Sequence, residues 1–161
     1  GSEFQWFHPH PSPALIRARA GDGLLANPSP MILLDTHVWI WWVSSPDLLS
    51  PQARTLIDKS VVDKKIYISS MSAWEVAMLV AKGRLQLTME VGDWIRASEA
   101  LPFLHFVPVT NAIALKAVRL PMKSLIDPVD QIIMATAMVL DLVLITKDKK
   151  IRKDAPVKTV W

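Results

Sequence analysis

The sequence predicts an α/β fold in which a central, mostly parallel sheet is flanked by helices in three layers. Apolar runs of strand length alternate along the chain with segments of helical pattern and helix-capping residues. Most of these apolar runs are uninterrupted, which is typical of strands that are buried on both faces of a parallel sheet. Helices between consecutive strands would cover those two faces.

Length and composition set limits on this prediction. The 161 residues suit one domain, and a hydrophobic content of 51% supports a substantial core. The longest apolar stretch, Ile132–Ile145, contains Thr136 and Asp141 and is shorter than the roughly 18 residues that a membrane span needs. The absence of cysteine excludes disulfides and thiolate metal ligands, and no signal-peptide pattern is present. We expect a cytoplasmic protein without a membrane partner.

The first 30 residues differ from the remainder. They contain five of the 12 prolines, show no sustained periodicity, and begin with Gly1-Ser-Glu-Phe4, which resembles a cloning scar. We expect residues 1–30 to be a leader or cloning-derived segment outside the fold, and residues 31–161 to form the domain.

The first elements of the domain are defined by apolar runs and helix-start residues. Met31–Leu34 is predicted to be a buried strand. Ser50 and Pro51 can cap and start a helix that runs to about Lys59. Ile66–Ser69 is the second predicted strand.

A capping-box pattern follows the second strand. Ser72-Ala-Trp-Glu75 is predicted to open a helix that runs to about Lys82, with Gly83 as its terminator. Val91–Ala100 has a helical pattern, and Phe106–Val109 is predicted to be the third strand.

The last part of the domain continues the alternation. Thr110 is expected to cap a helix through about Val118, and Asp127 and Pro128 are expected to start a helix over Val129–Leu140. The final predicted strands are Leu142–Ile145 and Val157–Trp161.

The polar residues just beyond these strands are nearly all acids. Asp35 directly follows the first strand. Asp148 follows the strand Leu142–Ile145, with Thr146 between the strand and this acid. Glu75 and Asp130 are expected in the first turns of the helices that begin at the capping box and at Asp127. Ligand sites in parallel sheets lie at the carboxyl ends of the strands, so we expect these four carboxylates to converge there.

Four neighbouring carboxylates repel one another and raise their pKa values unless a cation neutralises them. An all-oxygen donor set favours magnesium or manganese, and such a site can activate water for phosphodiester hydrolysis. Each acid except Asp35 also has a structural interpretation as a helix-cap or turn residue. Asp35 is harder to explain in that way, because a charge directly after a buried strand is costly unless it is paired or metal-bound.

The net charge of +3 is small, but the positive charge is concentrated. Six of the 18 basic residues lie in the last fifteen positions, with only two acids among them. A run of this kind is usually a solvated face. Beside an acidic site it also predicts a phosphate-contacting rim, for which the candidates are Lys147, Lys149, Lys150 and Lys153.

Four motifs in the chain resemble PIN-domain proteins of the VapC toxin type. They are Leu33-Leu-Asp-Thr-His37, Ser72-Ala-Trp-Glu75, Asp127-Pro-Val-Asp-Gln131 with Ala135-Thr-Ala137, and Thr146-Lys-Asp148. The resemblance covers Met31–Trp161 and implies a PIN-like fold. It also implies a metal-dependent endoribonuclease, the toxin of a toxin–antitoxin pair, which cleaves RNA, binds a small antitoxin protein and forms a homodimer.

The resemblance assigns roles residue by residue. The matching acids bind Mg²⁺ or Mn²⁺ and carry catalysis; they are Asp35, Glu75, Asp130 and Asp148. Supporting roles are expected for Thr146, Asp127 and Thr36. Gln131 departs from the family pattern, which usually has arginine at this position, and the change is expected to affect phosphate contact or partner pairing without altering metal binding.

Three other functions compete with this interpretation. A phosphatase with an aspartyl nucleophile would need a second aspartate at the position of His37, and a phospho-acceptor domain would need an acidic pair at Asp35. A catalytically weak or inactive PIN-like binding module is the remaining alternative.

The histidine and tryptophans near Asp35 have structural interpretations. We interpret His37 as a packing or hydrogen-bonding residue. We interpret Trp39, Trp41 and Trp42 as core or dimer-interface residues in preference to base-stacking residues. The apolar part of an antitoxin-binding surface is expected near these tryptophans and the helix around Trp94.

Overall fold

The computed structural model describes residues 29–122 and 126–161, so most of the expected leader lies outside the described residues. The strands are β1 (Ile32–Leu34), β2 (Ile66–Ser69), β3 (Leu104–Val107), β4 (Val143–Ile145) and β5 (Thr159–Val160). The α-helices of the described residues are α1 (Thr36–Ser44), α2 (Pro51–Asp63), α3 (Ser70–Ala81), α4 (Val91–Glu99), α5 (Asn111–Val118), α6 (Pro128–Leu140) and α7 (Lys149–Asp154). A short 3₁₀ helix, Pro46–Leu48, joins α1 to α2.

The five strands form one sheet in the order β3-β2-β1-β4-β5, and every pair is parallel. Ile32 and Leu34 of β1 belong to a core cluster with side chains of α1 to α4. Leu33, between them, belongs to a second cluster with side chains of α6 and α7. Consecutive residues of β1 therefore face opposite helix layers, which confirms the three-layer α/β prediction.

Several predicted helix starts are confirmed by cap hydrogen bonds. The Ser50 hydroxyl accepts from the Ala53 amide at 3.0 Å, and one Asp127 carboxylate oxygen accepts from the Val129 amide at 2.8 Å. Gly83 follows α3 with a φ of +68°, a conformation that side chains with a Cβ disfavour.

The predicted capping box at Ser72 is wrong. The N-cap of α3 lies three residues earlier, at Ser69, whose hydroxyl accepts from the Met71 amide at 3.1 Å. Ser72 is therefore inside the helix and fully buried, and Glu75 lies in its second turn, not its first. Strand β2 ends at Ser69, so the serine at the strand end caps the helix directly.

Three other parts of the chain differ from the sequence-based prediction. The strand expected at Phe106–Val109 lies two residues earlier, because Pro108 lacks the amide hydrogen that would extend the ladder. The aromatic segment after β1 is a helix capped by Asp35, and the basic run contains α7, which was not predicted. Trp94 is fully buried against Trp39, with ring centroids 4.5 Å apart, so both side chains belong to the core.

The strand order defines where a ligand site can form. The sheet runs through β2 and β3 on one side of β1 and through β4 and β5 on the other, so the switch point lies between β1 and β4. Leu34 and Ile145 are paired in register, so the chain leaves both strands at the same level. No helix among the described residues is long and apolar enough to cross a membrane.

Candidate active site

Asp35 lies at the switch point, and its side chain is held by the ends of both central strands. It is 2% exposed. One carboxylate oxygen accepts from the Thr36 amide at 2.8 Å, which caps α1, and the other accepts from the Thr146 hydroxyl at 2.7 Å. The fixed position of this buried carboxylate therefore depends on one residue after β1 and one after β4.

Thr146 connects Asp35 to Asp148. The buried Thr146 hydroxyl donates to Asp35 and accepts from the Asp148 amide at 3.1 Å. An Asp148 carboxylate oxygen accepts from the amides of Lys150 and Ile151 at 2.8 and 3.1 Å, so Asp148 is the N-cap of α7. The expected supporting residue thus contacts two of the four predicted acids.

Thr36 connects the first strand to Glu75. The Thr36 and Ser72 hydroxyls are hydrogen-bonded to each other at 2.9 Å, and both residues are buried. Burial raises the pKa of Glu75, a hydrogen bond with Thr36 opposes that rise, and the charges of Asp35 and Asp127 add to it. The buried Ser72, which sequence analysis assigned to a cap, instead supports the residue that contacts Glu75.

Asp130 has the most perturbed carboxyl group of the set. Burial in the first turn of α6 raises its pKa from 3.8 to about 7, and the surrounding acids all add to the rise. Those acids are, in decreasing order of effect, Asp35, Asp127, Asp148 and Glu75. In the described part of the chain no protein group donates a hydrogen bond to Asp130. The structure therefore brings the predicted acids into one electrostatically coupled group.

The described acids do not form a preorganised metal-coordination site. Within residues 29–122 and 126–161, no group of three or more histidine or carboxylate side chains is placed to hold a metal ion. Both oxygens of Asp35 and one of Asp148 already accept hydrogen bonds from the protein. The free acceptor capacity is greatest at Asp130, where charge repulsion is also greatest.

The raised pKa of Asp130 predicts a stability change. The pKa is higher in the folded state, so Asp130 contributes stability that is fully present below pH 4 and is lost as the pH rises through about 7. In chelator, the melting temperature of Asp130→Asn should exceed that of the parent by about 3–6 °C at pH 8.5, after allowance for partial exposure. The excess should shrink as the pH falls toward 4.

Asp141 supplies the matched control for this measurement. It follows the other end of α6, is exposed, and adopts a left-handed conformation that asparagine tolerates. Asp141→Asn should leave the pH dependence of the melting temperature unchanged. An equal pH dependence in the parent and Asp130→Asn would contradict the assignment of the raised pKa to Asp130.

The predicted RNA-binding lysines occupy different positions near the site. Lys149 and Lys153 line a surface groove of about 500 Å³ together with Arg152. The Lys147 ammonium lies 5.5 Å from the centre of the Trp41 ring, and Lys150 does not line the groove. Arg152 was not among the candidates, because its place on the same helical turn as Lys149 follows only from α7.

His37 lies beside Asp35, as its position in the sequence suggested. One ring nitrogen is 3.5 Å from an Asp35 carboxylate oxygen, and the other accepts from the Lys147 amide at 3.3 Å. These contacts agree with the hydrogen-bonding role expected for this histidine.

The fold and the site together define an α/β domain with a group of acidic side chains at the switch point of a parallel sheet. A model of the PIN domain family matches residues 32–155 of the chain. Because this match covers most of the sequence, the chain belongs to the PIN domain family. Ribonuclease VapC22 from Mycobacterium tuberculosis is 34% identical over 133 residues, which cover 81% of this chain and 98% of that protein. The expected VapC-like resemblance is thereby confirmed.

Three solved structures have a similar fold. A toxin–antitoxin complex from Klebsiella pneumoniae is 25% identical, with a TM-score of 0.52 and coverage of 81% of this chain and 96% of that chain. FitAcB from Neisseria gonorrhoeae is 23% identical, with a TM-score of 0.57 and coverage of 81% and 97%. VapBC2 from Rickettsia felis, bound to a promoter DNA fragment, is 15% identical, with a TM-score of 0.60 and coverage of 80% and 96%.

Proposed function

We propose that the protein is a metal-dependent endoribonuclease and the toxin of a toxin–antitoxin pair, acting in the cytoplasm. The observation that carries the proposal is the coupled acidic group at the switch point, in which the pKa of Asp130 is raised to about 7. The identity with a VapC ribonuclease supports RNA as the substrate. In this proposal residues 31–161 are the catalytic domain.

The donor chemistry of the site fits a divalent cation. The acids provide only hard oxygen donors, and their mutual repulsion is the charge that a cation would relieve. Bound Mg²⁺ or Mn²⁺ would lower the pKa of an attacking water and stabilise charge on the phosphate. The residues that would hold it are Asp35, Glu75, Asp130 and Asp148.

The chain's own residues would position these ligands. Thr146 fixes Asp35 and orients the turn that carries Asp148, while Thr36 holds Glu75 through its hydroxyl. Asp127 starts α6 and thereby directs Asp130 toward the other acids. Because every acid is connected to a different secondary-structure element, loss of any one should alter the whole site.

The partner in this proposal is a small antitoxin protein. Support comes from the toxin–antitoxin complex from Klebsiella pneumoniae, whose structure is similar. A guanidinium from the antitoxin could satisfy several carboxylate oxygens at once and compete with the metal. We also propose that the toxin forms a homodimer.

The direct experiment is an assay of the purified full chain on a panel of structured RNAs. We expect cleavage in Mg²⁺ or Mn²⁺ and none in chelator. Complete absence of cleavage with every RNA and both metals would overturn the nuclease proposal.

A catalytically inactive binding module is the second candidate. The observation that favours it is that the described acids are not placed as a metal cage. Retained RNA or antitoxin binding without metal-dependent cleavage would support this alternative.

The basic run provides a further prediction for RNA binding. Combined alanine substitution of Lys149, Lys150 and Lys153 should weaken RNA binding about tenfold or more, because cation–phosphate contacts release counterions. The slope of log affinity against log salt should fall by about 2 for a single-stranded RNA. Fluorescence anisotropy over a salt series measures both quantities.

A matched variant separates local contacts from net charge. Alanine at the exposed Lys59, Lys82 and Lys116 removes the same charge from other elements. This control should reduce affinity much less. Equal losses in the two variants would mean that the basic run is only a solvated face.

A further inference from the structure

The two adjacent tryptophans of α1, Trp41 and Trp42, are directed toward opposite edges of the sheet. The Trp41 ring is 6.0 Å from that of Trp161, which directly follows the edge strand β5. The Trp42 ring is 6.0 Å from that of Phe103, which directly precedes the opposite edge strand β3. Both tryptophans are partly buried, so each retains some exposed surface.

Trp41 is connected to the acidic site through His37. Their ring centroids are 5.0 Å apart in an edge-to-face arrangement, and His37 is 3.5 Å from the Asp35 carboxylate. We call His37, Trp41 and Trp161 the aromatic strip. It leads from the switch point toward the β5 edge of the sheet.

At the other end of the aromatic strip, Trp161 lies beside basic side chains. Trp161 lines the groove of about 500 Å³, and the basic residues of that groove are Lys149, Arg152 and Lys153. The Lys147 ammonium lies over the Trp41 ring at 5.5 Å. Partly exposed aromatic rings and four cations therefore form one surface beside the acids.

We propose that the aromatic strip stacks against bases of a single-stranded RNA segment whose phosphates lie in the basic groove. This inference rests on the proposed function and adds the path of the substrate beside the site. Aromatic rings framed by cations are the combination that binds single strands, because every base has a stackable face and every nucleotide a phosphate. Trp41 is then a substrate-positioning residue, in contrast to the sequence-based interpretation as packing.

The charge of this surface distinguishes RNA from an apolar protein segment. A packed apolar helix would cover the rings but would leave the four cations without partners. A nucleic-acid strand satisfies both features together. The flexible Lys147 side chain can move from the ring face to a phosphate when a base stacks there.

The test uses binding of a labelled ten-nucleotide oligouridine to the full chain in chelator, so that cleavage cannot occur. Trp41→Leu should weaken binding at least about fivefold with an unchanged salt slope, because stacking carries no net charge. Trp41→Phe should retain most of the affinity. Trp42→Leu, the matched control at the next position of α1, should leave affinity unchanged.

Unaltered affinity in folded Trp41→Leu, or an equal loss in Trp42→Leu, would overturn the proposal. If Trp41→Leu does not fold, photo-crosslinking of a 5-iodouridine oligonucleotide to the parent decides the matter. Crosslinks at Trp41 or Trp161 support the proposal, and crosslinks confined to other residues overturn it. If the parent cleaves structured RNA but does not bind the oligouridine, only the proposal about the aromatic strip is overturned. If the parent binds the oligouridine through Trp41 but cleaves no RNA, only the nuclease function is overturned.

Discussion

Asp130→Asn should lower metal-dependent RNA cleavage by at least about a thousandfold, because it removes a proposed metal ligand on which positioning and charge stabilisation would both depend. The substituted asparagine keeps the shape of the aspartate side chain but has one oxygen and no charge. Asp130 is repelled by the neighbouring acids and receives no hydrogen bond from the described residues. A bound cation would therefore stabilise the ionised Asp130 carboxylate more than those of the other acids. Initial cleavage rates at saturating Mg²⁺ and Mn²⁺ measure the effect.

The control again lies on the same helix. Asp141→Asn makes the identical chemical change beyond the far end of α6 and should retain parental activity. Asp35→Asn, Glu75→Gln and Asp148→Asn should resemble Asp130→Asn, since in the proposed function the four acids bind the same cation. Full cleavage by Asp130→Asn with bound metal would reject the proposed ligand set.

The rate of the parent should also depend on pH through the same group. Asp130 must be ionised to bind a cation, and its pKa without metal is about 7. At subsaturating metal, cleavage is therefore expected to rise between about pH 6 and 8, and saturating metal should shift the rise to lower pH because cation and proton compete for the carboxylate.

The position of Asp35 was predictable from sequence because parallel strands impose it. A buried run that ends at Asp35 and another that ends just before Thr146 must meet at the same sheet edge. The hydrogen bond between these two residues could not be predicted, because it depends on the register of β1 against β4. Sequence patterns define strands well, but they do not define which residues stand side by side.

The helix that carries Glu75 shows a different limit. Ser69, Ser70 and Ser72 are all plausible caps, and the sequence pattern favoured Ser72 because Glu75 completes a capping box. Tertiary structure selected Ser69, where β2 ends. Glu75 nevertheless lies near the other acids. The earlier helix start moves Glu75 from the first to the second turn and places Ser72 in contact with Thr36.

The different environments of Trp39, Trp41 and Trp42 could not be predicted without knowing that this segment is a helix that begins at Thr36. Once the helix begins at Thr36, successive residues are rotated by about 100° around its axis. Trp39 then enters the core, while Trp41 and Trp42 diverge toward the two sheet edges. A segment that sequence analysis treated as one apolar unit therefore has three distinct environments.

Expression of the full chain without a partner should stop growth of a bacterial host, because an unrestrained endoribonuclease destroys RNA that the cell needs. Asp35→Asn should restore growth at equal protein level. Its carboxylate is buried and bound by Thr36 and Thr146, so its change affects the centre of the site. Colony counts after induction, with immunoblots for protein level, measure the result.

Co-expression of a small protein encoded beside the gene for this chain should restore growth to cells that produce the parent, if that protein is the proposed antitoxin. Rescue is expected because the acidic group can accept a guanidinium and the surrounding helices offer partly exposed apolar side chains. The purified pair should then lack RNA cleavage and regain it when the partner is removed. Normal growth of cells that contain abundant, folded parent protein would contradict the toxin function. Growth arrest that persists in the Asp35→Asn variant would show that toxicity does not depend on the acidic site.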